Sequence, residues 1–183
     1  MRLAARRRLM MSMGVAFFVG ACGKSSTAPE VGSFEATVSG DLSVTLSGTA
    51  IFGVGDYGPG DQWMVYMPRT TAAAFEVISV GPAESAMRLP AGTHEIVEAT
   101  TAANGEVVGV YLSFSGQADV FGSTSGTLTI TESSADVVRG NFTFTAAELT
   151  SGLTTIDPDG RQVTVSGEFV AIPGSVPSLS TRR

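Results

Sequence analysis

One cysteine and one histidine in 183 residues exclude an internal disulfide framework and a multi-histidine metal site. Lysine is nearly absent too: Lys24 is the sole one, and Arg69, Arg88, Arg139 and Arg161 stand singly. A phosphate-binding surface needs clustered cations, so nucleic acid is not an expected partner. No apolar run approaches the roughly 20 residues of a spanning helix. The longest, Leu9 to Val19, is broken by Ser12 and Gly14. There is no Gly-x-Ser-x-Gly elbow and no sustained helical period. His94, in Pro90-Ala91-Gly92-Thr93-His94-Glu95, has no sequence-level partner for acid–base work and reads as a strand residue after a turn. No catalytic residue, metal ligand or cofactor site is assigned, and the chain is not expected to be an enzyme.

The beginning of the chain is specific. Arg2, Arg6, Arg7 and Arg8 form a basic n-region, Leu9 to Val19 is the length of a secretory h-region, and Val19-Gly20-Ala21-Cys22 follows. This start resembles the lipobox of bacterial lipoproteins. The resemblance covers about the first 22 residues and implies that the leader, 1–21, is removed and that Cys22 carries acyl chains such as palmitate. Two or more chains give a stable anchor, since each buried methylene contributes about 0.8 kcal/mol. Gly23 is not the aspartate that retains such proteins at an inner membrane. The implied address is therefore the outer membrane, facing the periplasm. The partner so implied is the membrane itself.

Removal of the leader takes four of the eleven basic residues and none of the seventeen acidic ones, leaving a net charge near −10. Residues 22–32 contain the small, polar run GKSSTAPEVG and read as a flexible linker. The end from Pro173 has the same character and reads as a disordered tail. Between them, 33–172 is the length of one domain.

Alternation dominates that domain. Phe34, Ala36 and Val38 share one face of a strand, as do Trp63, Val65 and Met67; Val108, Val110, Leu112 and Phe114; Phe142, Phe144 and Ala146; and Val163, Val165 and Phe169. The opposite positions, where they are Ser, Thr and Glu, suit a solvated face. The pattern predicts an all-β fold, a single antiparallel β-sandwich or small closed barrel of about eight to ten strands. Ala83 to Leu89 and Ala146 to Leu149 could at most make a turn of helix. Asn104-Gly105 suits a tight hairpin, Asp157-Pro158-Asp159-Gly160 a type I turn, and Gly122 to Gly126 a further break. Six irregularly spaced Ser-Gly pairs suit bulges and corners of long strands. The segments GTLTIT, GNFTFTA and VTVSGEF near the C-terminus resemble those of β-rich domains in uncharacterised secreted lipoproteins.

Gly53-Val54-Gly55-Asp56-Tyr57-Gly58 has dinucleotide-like glycine spacing, but Pro59-Gly60-Asp61 follows where a helix should begin, so it reads as a hairpin loop. Asp56, Tyr57, Asp61 and Trp63 form the candidate ligand-binding set: carboxylates beside an aromatic platform could hold calcium, a sugar or a peptide. The competing reading packs Trp63 inward beside Val65 and Met67. These features suggest an envelope-anchored, non-catalytic module that binds a protein, glycan or small apolar ligand. The alternatives are a hydrolase using Asp56 and Asp61 and a structural part of an envelope complex.

Overall fold

A computed structural model describes residues 28–56, 60–116, 118–150 and 154–177; the leader, Cys22 and Tyr57 lie outside these residues. All regular structure among them is strand: β1 (Ser33–Gly40), β2 (Val44–Thr49), β3 (Ile51–Asp56), β4 (Asp61–Thr70), β5 (Phe75–Pro82), β6 (Gly92–Ile96), β7 (Val107–Phe114), β8 (Ala118–Ser133), β9 (Val138–Glu148) and β10 (Gln162–Pro173). The turn of helix considered at Ala146 to Leu149 is instead the end of β9 and a bridge from Leu149 to Ile156.

The ten strands form one sheet in the order β2-β1-β10-β3-β4-β5-β7-β6-β8-β9, and pairings of β10 with β9 and of β7 with β8 close it into a ring. Closure depends on strands that exchange partners along their length. The run from β2 to β3 passes through Ala50, which is fully buried, so that β2 pairs with β1 while β3 pairs with β4. In β8, Ala118 to Gly122 pair with β7 and Gly126 to Ile130 pair with β6, while the opposite edge stays on β9. Gly122 to Gly126 is therefore not a break between strands. It is a bulged corner inside one strand, with the register shift at Ser123/Ser125. At the end of β10, Ile172 and Pro173 leave the antiparallel ladder and pair in parallel with Ile51 and Phe52.

One core fills the ring. Phe34 and Val38 of β1, Phe142 and Phe144 of β9 and Phe169 of β10 meet Trp63, Val65 and Met67 of β4 and Ile78 of β5. The aromatic rings contact one another, with centroids 5.9 Å apart for Phe142–Phe144 and 6.3 Å for Phe142–Phe169. Each such side chain contributes about 1.5–3 kcal/mol on burial. The alternating rows read in β1, β4, β9 and β10 are the inward ones.

Three local expectations need correction. In β7 the inward row is Val107, Gly109 and Tyr111, whereas Val108, Val110, Leu112 and Phe114 face outward. Gly109 decides the matter, because a Cβ there would lie 2.9 Å from the Phe144 ring, which occupies that space. Asn104-Gly105 is a turn but not a tight hairpin: β6 and β7 run parallel, with Ile96 opposite Val107, and only Gly105 has positive φ. The first residues of the expected tail, Pro173 to Val176, are held on the sheet. Gly174 N–H donates to the Phe52 carbonyl at 3.0 Å, and Val176 is buried against β4. The Asp157 turn has the expected form, with Gly160 N–H donating to the Asp157 carbonyl at 3.1 Å.

Candidate functional site

The outer face of β4, β5 and β7 is as apolar as the inner one. Met64 and Tyr66 of β4, Val77 of β5 and Val108, Val110 and Leu112 of β7 form a continuous floor. Two walls rise from it. On one side the chain after β10 crosses β3 and sets Val176 and Pro177 along the floor's edge. Gly53 permits this approach, because a Cβ at that position would collide with the Gly174 carbonyl oxygen and lie 3.3 Å from Val176. On the other side Leu149 and the loop after β6, with Ala99, Thr100 and Ala102, stand over β8. Gly122 plays the same part there: a Cβ would lie 3.1 Å from Leu149 and 3.2 Å from Ala99.

The trough so formed has a volume of about 600 Å³, within the range of small-molecule sites. Its second wall is fixed by a buried hydroxyl at the β8 corner. Ser123 Oγ donates to the Val97 carbonyl at 2.6 Å and accepts from Gly109 N–H at 3.1 Å. Ala99 N–H adds a bond to the Ser123 carbonyl at 2.8 Å. The polar lining groups are Gln62, Tyr66, Ser79, Thr100 and Glu84. Burial pushes the Tyr66 hydroxyl above its ordinary value, so it is a neutral donor at physiological pH. Among the described residues Glu84 is the only charged one in the lining, and it is exposed at one end.

A second polar group lies inside the ring. Arg69 Nη1 donates to Glu76 Oε2 at 2.7 Å, and the Tyr111 hydroxyl donates to Glu76 Oε1 at 3.1 Å. Glu76 is 6% exposed, and both of its oxygens are occupied. The Tyr111 hydroxyl is pushed up to about 12, first by burial and then by the charge of Glu76. Its ring stacks on Phe121 at 5.8 Å, and the Arg161 guanidinium lies 5.4 Å from the centre of the Phe121 ring. Arg161 also pairs with Asp119 at 2.9 Å and Glu148 at 2.8 Å, and it holds the Glu148 carboxyl below its usual range. Every charge in this chain of contacts has an opposite partner within it, with Arg161 shared by two carboxylates, which is the arrangement of a structural brace.

Of the four residues selected from the sequence, Trp63 does not offer an exposed aromatic platform. Trp63 is 3% exposed, with its ring in the core and its centroid 6.2 Å from that of Phe52. Asp61 is exposed at the start of β4 and pairs in register with Asp56 across the hairpin; Tyr57 lies outside the described residues. His94 lies in β6, with Nε2 3.0 Å from the Pro90 carbonyl. Among the described residues, no three His, Cys, Asp or Glu side chains are grouped so as to hold a metal ion.

The trough itself was missed in the sequence because its outward row in β7 reads as a core row. The available signal was β7 and β4 together: in both, successive residues are apolar, as in a strand covered on two faces. Compared with protein-family models, curated proteins and solved structures, the chain gives no significant match.

Proposed function

We propose that this protein is a lipid-anchored, non-catalytic envelope module that binds an apolar ligand in the trough on the outer face of β4, β5 and β7. The observation that carries the reading is the trough: a built, two-walled apolar cavity of about 600 Å³ on the outside of a fold that already has a complete core inside. A cavity of this volume with an apolar lining and a few polar groups has the form of a small-molecule site. Its aliphatic lining favours a small apolar ligand over a glycan, which would need planar polar partners. The anchor belongs to the sequence-level reading of Cys22, which lies outside the described residues. Facing the periplasm from the outer membrane, the module would present the trough to apolar molecules moving through the envelope.

Two experiments test the two halves. Titration of the full chain carrying Cys22→Ala with Nile red should give saturable fluorescence enhancement that Val110→Trp, which fills the trough, removes; equal enhancement in both proteins would refute the site. Cys22→Ala should also release the protein from membranes and remove acyl mass, and persistent membrane attachment would refute the anchor.

A further inference from the structure

The walls, the floor and Glu84 restrict the occupant of the trough further, and the following rests on the trough being the binding site. The floor runs parallel to the strands, from Phe75 to Gly81 along β5, a length of about 20 Å at roughly 3.3 Å per residue. That shape suits an elongated molecule. An extended peptide has the length but not the chemistry, because each residue brings a donor and an acceptor that need partners. The backbone of the floor has none to give: β4 is bonded to β3 and β5, β5 to β4 and β7, and β7 to β5 and β8. At the remaining edge of β7, Gly109 N–H is taken by Ser123 and the Val107 carbonyl by Val97. A peptide backbone lying among Met64, Val77, Val110 and Leu112 would be left unpaired, which is costly. A hydrocarbon chain carries no such groups.

The ionisable groups then restrict the head. Among the described residues no lysine, arginine or histidine lines the trough, so a carboxylate or phosphate lying within it meets no counter-charge from them. Glu84 marks one end, and it is held there firmly. Its φ is +50°, the one positive φ outside glycine among the described residues. The strained conformation is fixed on both sides: Gly105 N–H donates to Ala83, Asn104 Nδ2 to the Glu84 carbonyl, and Trp63 N–H to Ser85. Backbone strain retained in this way accompanies sites where the position of a residue matters.

We infer that the trough holds a single unbranched hydrocarbon chain whose head, uncharged or cationic, lies at the Glu84 end. Free fatty carboxylates are selected against, and amines, alcohols and esters of the same chain are accepted.

The test uses the full chain with Cys22→Ala and follows the methyl resonances of Val77, Val110 and Leu112 during titration with dodecylamine, dodecanol and dodecanoate. Each probe stays below its micelle concentration, and a capped apolar heptapeptide serves as the backbone-bearing control. Dodecylamine should bind about tenfold more tightly than dodecanoate, with dodecanol between them, since exchanging attraction for repulsion at an exposed carboxylate moves affinity by that order. Glu84→Gln should bring the three probes within about twofold of one another and leave dodecanol unchanged. Equal or tighter binding of dodecanoate, or a spread that survives Glu84→Gln, overturns the head assignment while leaving the trough as a site. Heptapeptide binding as tight as that of dodecylamine overturns the hydrocarbon assignment. If none of the probes shifts these methyl groups, the trough is not a binding site and both proposals fall together.

Discussion

The two faces of β4, β5 and β7 carry nearly the same residue types and meet opposite fates. Inward, Trp63, Val65, Met67, Ile78 and Tyr111 are covered by aromatic rings from β1, β9 and β10 across the ring. Outward, Met64, Tyr66 and Val77 are buried as well, but Val110 and Leu112 are only half-buried, and the space over them is walled by Val176 on one side and Leu149 on the other. Hydrophobic character therefore does not by itself make a core; an opposing layer does. Where walls leave a cavity over such a floor, the same kind of surface becomes a container.

The sharpest way to break this comparison is to truncate one apolar side chain on each face. Phe144→Ala, inside, should destabilise the fold by about 3–5 kcal/mol. Leu112→Ser, outside and only partly buried, should cost under about 1 kcal/mol by the same reasoning. Urea denaturation of the two variants measures both, and similar losses would mean that the outer face is packed like the inner one. Next in size is the polar brace. Glu76→Ala leaves the Tyr111 hydroxyl and Arg69 without their acceptor, and should cost about 1–3 kcal/mol in the same assay.

A pH dependence follows from the same brace. Tyr111 has its hydroxyl raised from 10 to about 12, so the folded state keeps a proton that the unfolded chain gives up. Its contribution is complete below about pH 10 and is lost as pH rises from there toward 12. Tyr111→Phe should flatten that alkaline limb of the stability curve. Glu148 works in the opposite direction. Arg161 lowers its carboxyl, so its contribution is present above the ordinary carboxylate range and fades on acidification through and below it. Val176→Ser at the margin of the trough should cost about 1.5 kcal/mol in stability, as for a buried valine, accompanied by weaker Nile red binding as the wall loosens.

How far these features were legible in the sequence depended on what faced each strand. The all-β class, the strand count and the inward rows of β1, β9 and β10 could be read, because there apolar residues alternate with Thr, Ser, Glu or Asn. In β7 alternation failed. Val107-Val108-Gly109-Val110-Tyr111-Leu112 is apolar on both faces, and the row containing glycine looks the weaker candidate for burial. It is nonetheless the inner row, since the absent side chain makes room for Phe144 from the opposite strand. That space is set by a residue 35 positions away along the chain, which local pattern cannot register. The walls were hidden for the same reason: Gly53 and Gly122 read as turn or break residues, while their use is to let Val176, Ala99 and Leu149 lie close over the sheet. Trp63 drew notice as a lone aromatic beside two aspartates, but its strand parity, shared with Val65 and Met67, already pointed it inward.

The most direct test of the trough is to observe both faces at once while a hydrocarbon is added. In a methyl-detected NMR titration of the Cys22→Ala chain with dodecanol, the outer row, Val77, Val110 and Leu112, should shift saturably while the inner residues Val65, Ile78 and Val165 stay in place. Unmoved outer methyl groups, or inner and outer rows moving together, would contradict an outward-facing binding trough on a complete core.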